Sequence, residues 1–187
     1  HSYTNIPEGD DDINAPFFLR FSPHAPKNKM HAFQHWYTWI FYGLSTVSWV
    51  TSKDFIRFDR YYKMGLFKGK NVYRNTVLKI IAWKLVYYAL ILGLPIAFSP
   101  FGVGSILLAF LLLHFITGLS ISLVFQTAHI MPEVSFPQAN ENGIVEGERM
   151  LHQLATTSSY AENSPLFSWM IGGLNYQVEH HLFPDIC

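Results

Sequence analysis

A glutamine and two adjacent histidines lie close to the C-terminus, in the stretch Gln177-Val178-Glu179-His180-His181. Positions 177, 180 and 181 are spaced i, i+3 and i+4, so in a helix all three side chains share one face. Neutral imidazole is the commonest metal ligand among side chains. The spacing therefore predicts a metal site at His180 and His181, and an ordinary surface or core pair of histidines is the alternative. Glu179 is either a carboxylate that orients a ligand ring or a solvated charge on the other side of the helix.

Two apolar runs provide the elements that would position these side chains. No Lys, Arg, Asp or Glu occurs from Leu85 to Pro132, and about 20 mostly apolar residues are enough to span a bilayer. Helices over 77–98 and 103–128, separated by a turn rich in Pro and Gly, are predicted to form a transmembrane hairpin. A buried hairpin of a large soluble protein is the alternative.

The basic residues give this hairpin an orientation. Lys and Arg recur between Lys53 and Lys84, whereas the turn inside the hairpin carries no charge. Because Lys and Arg mark the cytoplasmic side of a membrane, both ends of the hairpin are predicted to face the cytoplasm. The sequence thus indicates a multi-pass integral membrane protein with its candidate active site on the cytoplasmic face.

The rest of the chain is divided by composition. The Trp- and Tyr-rich segment 36–52 is too short to span comfortably and is predicted to be an interfacial helix, followed by a basic cytoplasmic connector over 53–76. Residues 129–187 are predicted to be a cytoplasmic segment with a short helix around 147–156. The predicted fold class is all-α: a transmembrane hairpin, interfacial helices and a cytoplasmic cap lined by histidines.

Other histidines, of the nine in the chain, are weighed by where this topology places them. His129 ends the second apolar run, on the same membrane face as the histidine pair, and His1 could reach that face. His152 is either a loop residue or part of the lining of the site. His114, inside the second run, is either functional or a neutral histidine bonded to a neighbouring helix. His24, His31 and His35 are expected to be solvated or interfacial, and the run Asp10–Asp12 is expected to be a solvated acidic turn.

Composition excludes several function classes. Only 14% of the residues are charged and the formal net charge is zero, against about 25% charged in an ordinary soluble domain. The chain lacks the basic excess that would indicate a nucleic-acid partner. Cys187 is the single cysteine, so the chain contains no CxxC metal or redox motif.

The stretch GGLNYQVEHHLFP over residues 172–184 resembles the third histidine box of membrane fatty acid desaturases, in the front-end or linoleoyl-CoA-desaturase-like branch that has glutamine in place of the first histidine. The opening HSYTN resembles the end of the second box, HxxHH, and residues 1–35 would then be that end with its following loop. FQTAH over 125–129 resembles the segment that carries an additional ligand histidine in this family. The first box has no counterpart here, so these 187 residues are expected to be a fragment that is inactive alone.

This resemblance implies a specific chemistry. It assigns His1, His129, His180 and His181 as ligands of two non-haem iron ions, Gln177 as a weak or water-mediated ligand, and Asn175 as a partner that orients a ligand. It implies an O2-dependent desaturase that places a cis double bond in a fatty acyl chain, carried as acyl-CoA or acyl-lipid. Electrons would come from cytochrome b5 or ferredoxin, for which a basic surface is suited.

Three alternatives stay open at this point. A hydroxylase or ketolase of the same superfamily would share the fold and the metal centre. A zinc-dependent membrane lipid hydrolase would also gather histidines at a membrane face, with zinc activating water. A membrane anchor with incidental histidines would have no activity at all.

Overall fold

The structure is a computed structural model that describes residues 3–7, 9–10, 13, 16–141 and 143–183. Regular structure within these ranges is helical, with no strand among the described residues. The chain divides into two compact units. One comprises residues 1–39 together with 121–187, and the other comprises residues 40–120.

The helices follow the apolar runs and the capping signals of the sequence. A 3-10 turn at Lys29–Phe33 is closed by a capping box, in which the Asn28 side chain accepts the N–H of Met30 and the His31 ring accepts the N–H of Asn28. The α-helices are α1 (Gln34–Ser48), α2 (Asp54–Lys63), α3 (Lys70–Tyr88), α4 (Leu94–Phe98), α5 (Val103–His129), α6 (Arg149–Thr156), α7 (Pro165–Met170) and α8 (Gln177–Leu182).

Two helical stretches are long and apolar enough to cross a membrane. One runs over Lys70–Phe98, where α3 and α4 are joined by a π-helical turn at Ala89–Gly93, and the other is α5. Pro95 has no N–H to donate to the backbone carbonyl one turn earlier. This missing hydrogen bond explains why the π-helical turn precedes Pro95. In the most apolar 18 residues of each stretch, 0% of the residues are buried in Lys70–Phe98 and 11% are buried in α5. Such exposed apolar surface is unfavourable in water and suits lipid.

Within the unit of residues 40–120, α1 packs closely against α5. A Cβ built on Gly118 would lie 2.6 Å from the carbonyl oxygen of Gly43, and one built on Gly43 would overlap the ring of Phe115. Small residues of this kind let helix backbones approach each other, as they do in membrane helix pairs. The contact lies near the middle of α5, and the interfacial placement predicted for segment 36–52 stays a prediction.

A second π-helical turn, at Trp49–Lys53, joins α1 to α2. Lys84 on α3 donates from Nζ to the carbonyl oxygens of Trp49 and Val50, at 3.2 and 2.9 Å, and pairs with Oδ2 of Asp54 at 2.8 Å. The ammonium group thus satisfies carbonyls in a turn where the regular helical hydrogen-bond pattern is interrupted. Its side chain is only 14% exposed, and this pairing stabilises a cation placed among apolar helices.

Candidate metal centre

The histidine pair lies on a helix, α8, which begins at Gln177, so the condition under which Gln177, His180 and His181 share one face is met. Gly172 and Gly173 precede it with φ angles of +67° and +77°, a left-handed conformation that glycine adopts readily. This pair reverses the chain between α7 and α8. On α8 the side chains of Gln177 and His181 are buried, one turn apart, and His180 is half-buried.

Three of the four predicted ligand histidines lie together. The ring centroids of His129 and His181 are 5.1 Å apart, and those of His180 and His181 are 5.7 Å apart. His129 is the last residue of α5, so the end of a candidate membrane helix meets α8 at these rings. The fourth predicted ligand, His1, lies outside the described residues.

These rings fit a metal by donor type but do not complete a ligand set. Among the residues that the structure describes, no group of three or more His, Cys, Asp or Glu side chains has the spacing of a metal site. Imidazole nitrogens suit iron, zinc and copper alike. Two ring contacts among three histidines therefore support a metal centre that needs further ligands.

The electrostatics of the cluster keep His181 neutral. Burial, reinforced by the neighbouring imidazoles of His129 and His180, lowers the pKa of His181 to about 3 from an ordinary 6.5. A neutral imidazole has a nitrogen lone pair that a protonated ring lacks, and this is the form that binds metals. At neutral pH the His181 ring is therefore in the form that can donate to a cation.

The two predicted supporting residues are also buried. Gln177 donates from Nε2 to the carbonyl oxygen of Leu174 at 2.6 Å, so its side-chain oxygen is the atom that could bind a water or a metal. Asn175 is fully buried, and its Nδ2 donates to Oγ of Ser168 at 2.9 Å. Its Oδ1 is buried without a hydrogen-bond partner among the described residues. This oxygen can therefore accept a hydrogen bond from a donor such as water.

The remaining candidates have varied surroundings. His152 is half-buried on α6, and its Nε2 has no hydrogen-bond partner within the described part of the chain. Glu179 is exposed and accepts from the Ser159 hydroxyl at 3.1 Å, which favours the solvated charge over a carboxylate that orients a ligand ring. His114 is buried and hydrogen-bonded to neighbouring helices.

In the acidic run, Asp10 accepts the backbone N–H of Asn5, whereas Asp11 and Asp12 lie outside the described residues.

Sequence reasoning missed Gln153, which contacts the ring of His181 directly, and Thr4, whose hydroxyl donates to the amide oxygen of Gln153. Oε1 of Gln153 lies 2.8 Å from Nδ1 of His181, and the Thr4 hydroxyl lies 3.3 Å from the same oxygen. The only signal for them was position: Gln153 follows His152, and Thr4 belongs to the YTN segment noted for its resemblance. An amide or hydroxyl alone does not indicate a role in a metal site.

A further unpredicted residue, Asn5, fixes the surrounding segments to each other. Its Nδ2 donates to the carbonyl oxygens of His129, Ser135 and Thr156 at 3.1, 3.3 and 3.1 Å. The ends of α5 and α6 are therefore held by one buried amide group. Asn5 has a φ of 58°, a left-handed conformation in which asparagine is enriched.

The histidine cluster, the helices and the sequence motifs can be compared with known proteins. The family model described as "Fatty acid desaturase" matches residues 1–187, the whole chain. The chain belongs to the fatty acid desaturase family. No solved structure is significantly similar to it.

Relatives of this desaturase-family chain match along its whole length. It is 32% identical over 192 residues to an acyl-lipid (8-3)-desaturase of Physcomitrium patens, covering 39% of that protein. It is 28% identical over 197 residues to the sn-1 linoleoyl-lipid 6-desaturase of Synechocystis sp., covering 52% of it. The enzyme of the same description from Arthrospira platensis is 31% identical over 193 residues, with 50% covered. The chain thus spans about half the length, or less, of these relatives.

Proposed function

We propose that the protein containing this chain is an O2-dependent fatty acyl desaturase that works at a histidine-ligated di-iron centre on the cytoplasmic face of a membrane. The observation that carries the proposal is the cluster of His129, His180 and His181 at the end of a candidate membrane helix. Family membership across the whole chain supports the same reaction class.

The proposed ligands are His129, His180, His181 and His1. Gln177 would bind more weakly or through a water, and Asn175 would orient a water or a ligand from its buried Oδ1. If these residues hold two irons, the centre would, with O2, two electrons and two protons, supply the oxidation that converts a CH2–CH2 unit into CH=CH and releases two waters. No side chain has the oxidising power to remove hydrogen from an unactivated methylene, so this step belongs to the metal.

The chain's own residues prepare the site for that chemistry. Burial keeps the ring of His181 neutral, and the buried amides of Gln177 and Asn175 hold polar atoms in a region with little water. Exclusion of bulk water protects a reactive oxidant from side reactions. An acyl chain can approach such a site from the bilayer, along the exposed apolar helices.

The proposed substrate class is an acyl chain carried by a membrane lipid. The relatives named above are described as acyl-lipid and linoleoyl-lipid desaturases, which favours a lipid over acyl-CoA as the carrier. Cytochrome b5 or ferredoxin is the proposed electron donor, attracted by the basic residues that run from Lys53 to Lys79. Their excess also supports a cytoplasmic location for both ends of the hairpin.

The decisive experiment is lipid analysis of cells that express the intact protein. Gas chromatography with mass spectrometry should reveal a new unsaturated acyl chain, enriched in lipids rather than in acyl-CoA, and formed only with O2. Purified protein should contain about two irons per chain. His181→Ala should abolish the product, whereas His35→Ala, which changes an exposed histidine outside the cluster, should not.

Each alternative has its own outcome in the same assay. A new hydroxyl or keto group in place of a double bond would identify a hydroxylase or ketolase. One zinc per chain, together with hydrolysis in the absence of oxygen, would identify a lipid hydrolase. Unchanged lipids in cells with abundant, folded protein would contradict catalysis altogether.

A further inference from the structure

The amide of Gln153 faces one particular atom of the histidine cluster. Gln153 is 1% exposed and His181 is 3% exposed, and Oε1 of the amide lies 2.8 Å from Nδ1 of the ring. The hydroxyl of Thr4 lies 3.3 Å from Oε1 and 3.4 Å from Nδ1. Thr4 and His181 are 177 positions apart in the chain, so the tertiary fold alone brings these groups together.

The hydrogen-bonding roles in this contact follow from the atoms involved. An amide oxygen can only accept, so the hydroxyl of Thr4 and the Nδ1–H of His181 both donate to it. A neutral imidazole has one N–H, and with that proton on Nδ1 the lone pair lies on Nε2. The opposite tautomer would place two lone pairs face to face at 2.8 Å in a buried site, which is strongly unfavourable.

We propose that Gln153 is a positioning residue, assisted by Thr4, that holds His181 in the Nδ1–H tautomer and so directs its Nε2 lone pair at the metal. The proposal rests on the proposed function, because it takes His181 as a ligand. A partner of the second ring nitrogen commonly fixes both the tautomer and the orientation of a metal-bound histidine. Here that partner is a neutral amide rather than a carboxylate or a backbone carbonyl.

The surroundings of Gln153 make its amide a rigid support. The hydroxyl of Thr157 donates to the backbone oxygen of Gln153 at 2.6 Å, at the end of α6. The Asn5 amide then connects the last residue of α6, Thr156, to His129. The helix that carries Gln153 is therefore fixed to the helix that carries a second proposed ligand, and the position of the amide is set relative to both rings.

The test uses the intact protein in detergent, with two variants of Gln153 and one matched control. Gln153→Leu removes both hydrogen bonds and keeps a similar volume, whereas Gln153→Glu keeps an acceptor oxygen and adds negative charge. Thr156→Val is the control: it is isosteric, equally buried and on the same helix, but among the described residues its hydroxyl bonds only to the backbone of His152.

Two readouts separate positioning from folding. In metal-free protein labelled with 15N at histidine, the ring shifts of His181 should show Nδ1–H in the wild type and in Thr156→Val, and a mixture of tautomers in Gln153→Leu. Affinity for Co2+, followed by its absorption bands, should fall by about 10- to 100-fold in Gln153→Leu. It should return in Gln153→Glu with shifted bands, since a carboxylate makes the ring a stronger donor.

The outcomes distinguish this inference from the proposed function. Wild-type tautomer and Co2+ affinity in a folded Gln153→Leu protein would overturn the positioning role. An equal loss in Thr156→Val would also overturn it, because the effect would then be one of folding. A wild-type protein that shows the Nδ1–H tautomer, lost in Gln153→Leu, but that binds neither iron nor Co2+ would contradict the metal centre while leaving the orienting contact in place.

Discussion

The hydroxyl of Tyr87 on α3 lies 2.7 Å from Nε2 of His114 on α5, in the middle of the apolar helices. On its other side, Nδ1 of His114 lies 3.1 Å from Oγ1 of Thr46, and that hydroxyl donates its proton to the His114 carbonyl oxygen at 2.7 Å. Thr46 can therefore only accept from the ring, which places the ring proton on Nδ1 and leaves Nε2 to accept from Tyr87. The side chain of His114 thus joins three helices, with a hydrogen-bond partner for each of its two ring nitrogens.

Removing the tyrosine hydroxyl should weaken this junction. Tyr87→Phe leaves Nε2 of His114 without its donor, at an expected cost of about 1 kcal/mol, the usual scale for hydrogen bonds between membrane helices. The measurement is the thermal midpoint of the intact protein in detergent. Tyr88→Phe, which removes a long 3.4 Å bond on the same helix, should cost less. Equal midpoints for wild type and Tyr87→Phe would contradict the assignment.

The close approach of α1 and α5 predicts strong intolerance at one glycine. A Cβ on Gly118 would lie 2.6 and 2.8 Å from the carbonyl oxygens of Gly43 and Tyr42. These are backbone atoms, which cannot move aside by a change of rotamer as a side chain can. Gly118→Ala should therefore cost at least about 2 kcal/mol and reduce the folded fraction in fluorescence-detected gel filtration. Gly104→Ala, on the same helix with open space around the new Cβ, is the control. A fully folded Gly118→Ala protein would show that the helices are not in contact there.

The amide of Asn5 predicts a large effect for an isosteric change. Asn5→Asp replaces a donor that faces three carbonyl oxygens by an acceptor with negative charge, in a site that is fully buried. We expect a loss of at least about 2 kcal/mol, the lower range for an unpaired buried polar group. Asn163→Asp, an exposed position, should change little. The thermal midpoints of the two variants decide the matter, and similar midpoints would refute the role of Asn5.

The low pKa of His181 predicts acid sensitivity of the metal-free protein. Unfolded histidine titrates near pH 6.5, and burial lowers the pKa of His181 in the folded state to about 3. Between these values the unfolded state binds more protons, so stability is full above about pH 6.5 and decreases as the pH falls toward 3. Thermal midpoints between pH 7.5 and 5 should show this slope, and His181→Asn should flatten it. A slope that is unchanged in His181→Asn would contradict the assignment.

The sequence by itself predicted helices over 36–52, 77–98 and 103–128 and around 147–156, and it indicated the family, whereas α2 and α7 were not predicted. The apolar runs around Leu85 and Leu111 and the i, i+3, i+4 spacing of Gln177, His180 and His181 are local signals, because helices form from contacts three or four residues apart. The α6 helix was predicted near its observed bounds for the same reason. The histidine motifs were enough to indicate a desaturase.

Tertiary structure decided how those elements meet. Gln153 and Thr4 are ordinary polar residues in the sequence, and they become partners of His181 only because the fold closes separations of 28 and 177 positions. The same holds for the Asn5 amide and for the junction of Thr46, Tyr87 and His114. Which buried donor meets which acceptor depends on the packing of whole helices, and local sequence does not encode that packing.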